Sequence, residues 1–334
     1  MLIYKDFIRE NCAPEDATGI GVYDRYGNRV HSIRLGPLAM PADRGEKLYT
    51  FGAISDVHLQ YETAQDDFRR ALEYLNQEED VAFTCIAGDL TANGSHAELA
   101  QYRQYVETYS PNTPVYAITG NHECWSGLNL AKEIEQYTGK PLYYTVEQGE
   151  DLFIMFGLSG DGEGGLFTYD SLRWLQATLE ENRNRRCFVF FHVRPQDGCG
   201  NAFGIYAYDI WGGKDQTIME GLMKHYTNAL YFHGHSHLKF YLQYGSDIAN
   251  LDKQFGCWSV HIPSLAVPRD GDAAGASSVK NVYADSEGYV VDVYRDGIHL
   301  RGRDFVKGEY LPIASYWLDT TIKEIEAGTY PGTI

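Results

Sequence analysis

Five short segments of this chain carry side chains able to hold metal ions or move protons. They are Asp56-Val57-His58, Gly88-Asp89, Gly120-Asn121-His122-Glu123, Phe191-His192 and His233-Gly234-His235-Ser236-His237. Imidazole and carboxylate donors with no thiolate block suit Mn, Fe, Zn or Ni and argue against a Cys-type structural zinc site. Each segment directly follows a run of strand-forming residues, and Asp89 closes such a run over residues 81–87. An acidic residue at the end of a buried strand loses hydration and needs a compensating partner. The simplest reading is a metal centre at one edge of a sheet, with Asp89 in the middle. Singly, each motif also has a plainer reading. Asp-x-His recurs by chance, a lone His192 after a strand packs or faces solvent, Gly-Asn-His-Glu could be a turn, and His235 and His237 could lie on a strand end. The occurrence of all five in one chain, in the same strand-then-loop context, favours the joint reading.

The intervening pattern supplies elements that could position these residues. Residues 48–54 read as a strand. Ala64, Phe68, Ala71, Leu72 and Leu75 share one face of a helix that Thr63 could cap. Ser95 and Glu98 form a capping box ahead of Leu99, Tyr102, Val106 and Tyr109, and residues 114–118 lead as a strand into Gly120. A looser helix over 130–137 precedes strands at 143–146 and 152–156. Asp170 could cap a helix carrying Leu172, Leu175 and Leu179. Strands at 187–191 and 229–232 deliver His192 and the last histidine cluster, with a helix around Ile218, Met219, Leu222 and Met223 between them. Residues 289–294 and 298–303, joined at Asp296-Gly297, make a strong hairpin signal. With 258–262 and 313–318 they suggest a mostly antiparallel second sheet. The expected fold is α/β, a four-layer α/β/β/α sandwich of two mixed sheets flanked by helices. Residues 1–45, with a hairpin signal around 20–23 and 30–35, read as an accessory β segment. Residues 46–320 then form the main domain and 321–334 a tail. The Gly-, Tyr- and Asp-rich stretch 196–214 has no period, and long loops of that kind often line pockets.

At 334 residues the chain can bury a large core. Its net charge of −18 disfavours duplex nucleic acid as a partner but not a small phosphate ester, because two divalent ions would make the pocket locally positive. The six cysteines (12, 85, 124, 187, 199 and 257) are scattered without CxxC spacing and read as small buried hydrophobes. The first residues lack the pattern of a signal peptide, and no apolar run approaches the roughly 20 residues of a membrane span, so a soluble, cytoplasmic protein is expected.

Taken in order, Asp56-x-His58, Gly88-Asp89 with Gly94, Gly120-Asn121-His122-Glu123, His192 and Gly234-His235-Ser236-His237 resemble the calcineurin-like metallophosphoesterase superfamily, across roughly residues 48–265. The nearest organisation is that of the bacterial phosphodiesterase-like branch. The resemblance implies two divalent ions (Mn, Fe, Zn or Ni) bridged by Asp89. Asp56, His58 and His237 would hold one ion, and Asn121, His192 and His235 the other. It implies in-line attack on phosphorus by a hydroxide shared between the ions, with His122 assisting the leaving group. Asn121, Arg194 and Asn93 are candidate substrate contacts, although Arg194 reads equally as a surface ion-pair partner and Asn93 as a capping or solvent-exposed residue. Glu123 could orient an imidazole or be a solvated turn residue. The presence of His58 and the absence of a tyrosine in the Asp89 loop separate the chain from purple acid phosphatases. Val193-Arg194-Pro195 also departs from the His-Pro-Pro run of many bacterial cyclic-nucleotide phosphodiesterases. A small diester is the expected substrate, with a phosphomonoester, a nuclease activity or a metal-stabilised binding module as alternatives.

Overall fold

The computed structural model describes residues 3–6, 19–23, 29–34, 41–61, 63–79, 81–124, 130–160, 166–194, 199–200, 213–240, 250–253, 255–270, 280–320 and 334. Its strands in chain order begin with β1 (Ile3–Asp6), β2 (Gly19–Tyr23), β3 (Arg29–Arg34), β4 (Lys47–Ile54), β5 (Thr84–Ile86) and β6 (Val115–Ala117). They continue with β7 (Tyr143–Gln148), β8 (Asp151–Phe156), β9 (Cys187–Phe190), β10 (Ala229–His233), β11 (Leu251–Asp252) and β12 (Trp258–His261). A short ribbon of β13 (Arg269–Asp270) and β14 (Lys280–Asn281) precedes β15 (Glu287–Tyr294), β16 (Gly297–Asp304) and β17 (Glu309–Asp319). The described α-helices are α1 (Ala64–Glu73), which runs on into a π-helical turn (Tyr74–Glu78), α2 (His96–Tyr109), α3 (Asn121–Cys124), α4 (Leu130–Thr138), α5 (Tyr169–Glu181) and α6 (Gly213–His225).

Period-two alternation sets the layers. Along β8, Phe153 and Met155 point one way and Leu152, Ile154 and Phe156 the other, and all are buried, so both faces of this sheet must be covered. In β9, Phe188 and Phe190 join the first set and Cys187 and Val189 the second. The first set packs against Phe51, Ala53, Tyr289 and Val291 of the other sheet. Phe51 meets Phe153 edge-on at 5.0 Å, and Phe153 stacks on Phe188 at 4.6 Å. The second set lies under α5 and α6 through Leu172, Leu175, Leu179, Met219 and Leu222. Across the molecule, Phe68, Ala71, Leu72 and Tyr102 of α1 and α2 cover Ile54, Ile86 and Val290. The result is the four-layer sandwich.

Among the described residues one sheet has six strands in the order β17-β16-β15-β4-β5-β6, and the other nine in the order β1-β2-β3-β11-β12-β10-β9-β8-β7. Both are mixed. β4, β5 and β6 run parallel, as do β8, β9, β10 and β12. The hairpin expected in the first 45 residues is β2–β3, and β3 joins the nine-stranded sheet by pairing Arg34 with Leu251. Residues 258–262 do not join the C-terminal hairpin as their pattern suggests. Instead β12 lies parallel to β10, pairing Leu230 with Trp258 and His233 with His261. Buried Ser259, Val260 and His261 suit an interior parallel strand covered on both faces, and β15 takes β4 as its second partner. Two expected caps also differ. Thr63 makes no side-chain cap bond at α1, and α5 is capped by Thr168, whose hydroxyl accepts from Ser171 N, with Asp170 in the first turn. The Ser95–Glu98 capping box is formed. Most of the 196–214 loop and nearly all of the expected tail lie outside the described residues. Among the described residues no helix is long and apolar enough to cross a membrane.

Candidate metal centre

The parallel strands bring the five motifs together. β4, β5 and β6 end just before Asp56, Asp89 and Asn121, and β9 and β10 just before His192 and His235. The carboxyl ends of strands from both sheets thus open onto one place. Cross-strand backbone bonds fix the loops there: Asp56 N donates to Gly88 O, His58 N to Asp89 O, and Gly234 N to His192 O.

The loop backbone is strained at the chemistry-bearing residues. Among the described non-glycine residues, positive φ occurs only at Asp56 (53°), His58 (39°), Asp89 (51°), His235 (71°) and His237 (61°). Asp and His tolerate this region better than most side chains, yet each such residue costs about 1–3 kcal/mol and persists only where its surroundings enforce it. Two glycines allow the close approach that does so. A Cβ on Gly234 would stand 1.9 Å from Ser55 Oγ and 2.4 Å from Asp56 Oδ2, and one on Gly120 would stand 2.1 Å from Asp89 Oδ1.

Each central carboxylate has one oxygen held by backbone and one aimed into the cluster. Asp56 Oδ2 accepts from His235 N at 3.0 Å, and Asp89 Oδ1 accepts from His122 N at 3.0 Å. The other oxygens, Asp56 Oδ1 and Asp89 Oδ2, are buried and turned inward. They face ring nitrogens: His237 Nε2 lies 3.1 Å from Asp56 Oδ1, and His192 Nε2 and His58 Nε2 lie 3.0 and 3.6 Å from Asp89 Oδ2. His58 Nε2 and His237 Nε2 are 3.0 Å apart, His235 Nδ1 is 3.3 Å from His192 Nε2, and Asn121 Oδ1 is 3.1 Å from the same nitrogen. The outward nitrogens set the tautomers, since His192 Nδ1–H donates to Ala87 O at 2.7 Å and His237 Nδ1–H to Val267 O at 3.2 Å.

This geometry fits divalent ions. Two ligand atoms that each lie about 2.1 Å from a shared ion stand about 3.0–3.4 Å apart, close to the 3.0–3.6 Å between these inward donors. Two overlapping groups emerge, Asp56–His58–Asp89–His237 and Asp89–His192–His235, with Asp89 common to both. The electrostatics agree. Burial would raise both carboxyls, but the surrounding imidazoles outweigh it and hold Asp56 and Asp89 well below the usual carboxylate range. Burial pushes His58 and His235 down to about 3. It also lowers His192, but Asp89 and then Asp56 carry that residue up to about 9. Two carboxylates held ionised in a buried site, beside His58 and His235 that burial keeps neutral, suit divalent cations.

The remaining expected residues divide by location. His122 sits at the rim, 13% exposed, with its Nδ1–H donating to Ala92 O at 2.6 Å and Nε2 lying 3.8 Å from Asp89 Oδ2. Glu123 is no solvated turn residue. It is buried and accepts from Thr91 N, Thr91 Oγ1 and Gly120 N at 2.8–3.0 Å, joining the Asp89 loop to the Asn121 loop. Burial, then Asp89, push its carboxyl up to about 7. Arg194 is fully buried rather than on the surface, and its charge acts on His233 and His261. Asn93 is exposed, with its amide donating to Glu98 Oε1 at 2.9 Å, and is not brought to the cluster. His96 is likewise exposed and lies 2.8 Å from Glu133.

Sequence reasoning missed Tyr61, whose ring stacks on His58 at 4.7 Å, and Arg269, a half-buried residue whose N–H donates to His237 O. Burial lowers the Arg269 guanidinium, and Asp56 is the strongest neighbouring charge acting on it. No motif marks either residue. Tyr61 falls between a loop and a helix, and Arg269 lies 32 positions beyond the last histidine motif.

No curated protein matches the sequence. Solved structures with a similar fold include a purple acid phosphatase, PPD1, from yellow lupin (Lupinus luteus) seeds. It is 10% identical with a TM-score of 0.50 and aligns over 90% of this chain, which spans only 59% of the lupin chain. GAP50, the anchor in the inner membrane complex of Plasmodium, is 15% identical with a TM-score of 0.54, over 84% of this chain and 91% of its own. Residues 49–239, more than half the chain, match the family model of calcineurin-like phosphoesterases, so the protein belongs to the calcineurin-like phosphoesterase family.

Proposed function

We propose that this chain is a dinuclear metal-dependent hydrolase of a small phosphodiester. The observation that carries the proposal is the convergence of inward imidazole and carboxylate atoms at 3.0–3.6 Å on a backbone strained at those same residues. Asp89 would bridge the ions, with Asp56, His58 and His237 on one side and Asn121, His192 and His235 on the other. When bound, the ions would neutralise phosphoryl oxygens and supply a water acidic enough to attack near neutral pH.

The chain's own groups do the rest. Asp89 Oδ1 accepts from His122 N, which ties the bridging carboxylate to the backbone of the rim histidine. The bond from His122 Nδ1–H to Ala92 O turns Nε2 towards the cluster, where a protonated Nε2 gives its proton to the departing oxygen. The Asn121 amide, beside His192, orients a phosphoryl oxygen without adding negative charge. Arg269 is a better phosphate contact than the fully buried Arg194, because it is half-buried and acts on Asp56. It also favours a second reading: a guanidinium at that rim would prefer the dianion of a monoester. The Asn93 amide is engaged at the α2 cap, and any role in substrate binding would require it to leave Glu98.

Hydrolysis of a nitrophenyl phosphomonoester and of the bis-nitrophenyl diester after Mn²⁺ loading, with His122→Ala as control, tests this. The proposal expects preference for the diester and a loss of about 10²–10⁴-fold in turnover in the variant, with metal retained. Preference for the monoester moves the substrate to the second reading. Bound metal without turnover on either ester leaves a binding module.

A further inference from the structure

Beneath the metal cluster lies a second buried polar layer that the proposed chemistry does not use. His233 and His261 face each other in register on the parallel strands β10 and β12, and both are completely buried. Cys199 Sγ lies 3.4 Å from His233 Nε2 and donates to Ser259 O. His261 Nε2 lies 2.8 Å from Ser236 Oγ. Ser236 is the residue between His235 and His237, the two histidines that hold left-handed φ values of 71° and 61°. Its hydroxyl also accepts from Leu238 N at 3.5 Å, and its own N–H donates to Gly234 O at 2.9 Å.

We propose that His261 is a positioning residue that sets metal affinity by anchoring the His235-Ser236-His237 turn through the Ser236 hydroxyl. This rests on the dinuclear reading of the cluster. A left-handed residue on each side of Ser236 gives the turn a cheaper relaxed conformation, and relaxation would withdraw both imidazoles at once. Backbone bonds hold the two flanking residues, His235 N to Asp56 Oδ2 and Arg269 N to His237 O, and the bond between Ser236 Oγ and His261 Nε2 is the side-chain anchor on the residue between them. His261 suits that task. It is fixed in an interior strand, its own N–H donates to Asn250 O, and burial pushes its ring down to about 3, so it stays neutral. A neutral imidazole can hold a hydroxyl rotamer without adding a positive charge under a site that must receive cations. His261 touches no ligand atom of the cluster directly, so its effect runs through the serine.

The test is Mn²⁺ binding by calorimetry on the metal-stripped chain, comparing wild type with His261→Leu, His261→Gln, Ser236→Ala and the double variant His261→Leu/Ser236→Ala. Outer partners of metal ligands typically change affinity about 10–100-fold. His261→Leu and Ser236→Ala should each weaken Mn²⁺ binding by about 10-fold, and the double variant should be no weaker than either single one. His261→Gln, whose amide can still reach the hydroxyl, should keep most of the affinity. Thermal unfolding of the metal-free proteins separates this from a packing effect, which would lower Tm without changing Mn²⁺ affinity. Wild-type affinity in His261→Leu, or losses that add in the double variant, would overturn the proposal. If His261→Leu fails to fold, Ser236→Ala with wild-type affinity overturns it alone. Failure of the wild type to bind Mn²⁺ would instead refute the dinuclear reading.

Discussion

Gly120→Ala perturbs the metal site without replacing a ligand residue. The new methyl would stand 2.1 Å from Asp89 Oδ1, 2.5 Å from Asp89 N and 2.7 Å from Asp89 Cγ. Ordinary carbon–oxygen contact is about 3.3 Å, so the Asp89 carboxylate must retreat by about 1.2 Å or the Gly120 loop must lift by as much. Either movement breaks the bond from His122 N to Asp89 Oδ1 and shifts Oδ2 from its place 3.0 Å from His192 Nε2. Metal sites tolerate about 0.2 Å. The shift is several times larger, so Mn²⁺ affinity should fall at least about 100-fold, and hydrolysis with it. Overpacking costs about 1–3 kcal/mol, within the stability of a typical domain of about 5–15 kcal/mol, so the variant should fold. Gly139→Ala is the control. It also changes a glycine, here at φ +69°, but a Cβ there meets nothing within 4 Å, so Mn²⁺ binding should be unchanged. Calorimetric Mn²⁺ titration of both variants reads the difference. Binding by Gly120→Ala equal to that of wild type would refute the role of the Asp89 carboxylate.

Other perturbations test the scaffold and its charge. Glu287 is buried and accepts from Phe240 N, and burial pushes its carboxyl up from an ordinary 4.5 to about 8. The folded state therefore holds the proton more tightly than the unfolded one, and stability is lost as pH rises from about 4.5 to 8, by on the order of 3–5 kcal/mol. In Glu287→Gln, urea unfolding should show a shallower loss over that range, and an unchanged slope would contradict the assignment. At the end of the sandwich opposite the cluster, Arg186 grips Asp151 bidentately at 2.7 and 2.9 Å and also reaches Tyr294 O and Thr320 Oγ1, joining the two sheets. Arg186→Met strands a buried carboxylate and should cost about 3–5 kcal/mol in urea unfolding, with kcat of the surviving fold unchanged at 25 °C. Asp89→Ala should remove bound metal and hydrolysis together, as read by elemental analysis and ester turnover.

Much of the site was legible because its chemistry is written in short motifs. Asp56, His58, Asp89, His192, His235 and His237 each follow a strand, and parallel strands of two sheets carry them to one edge. The helix faces were legible for the same reason: Phe68, Ala71, Leu72 and Leu75 recur with the helical period and are all buried. Pairings over long sequence separations were not. Nothing local in residues 258–262 distinguishes a strand beside β10 from one beside β15, since a short apolar run fits either neighbour. The α5 cap was misplaced because Asp170 and Thr168 are both competent caps, and backbone dihedrals select the threonine. The left-handed φ values at the cluster have no sequence signal, because Asp and His are poor markers of that conformation compared with glycine. The burial of Glu123 and Arg194 was equally unreadable, since charged residues beside turns usually face water and only the surrounding loops enclose them.

The most direct measurement is hydrolysis of the bis-nitrophenyl diester during stepwise addition of Mn²⁺ to the metal-stripped chain, with bound metal counted at each step. Activity should be absent at the start, rise with metal and level off at two ions per chain, and Asp89→Ala should neither bind the pair nor turn over. Hydrolysis that is independent of added metal, or that persists in Asp89→Ala, would contradict the dinuclear centre.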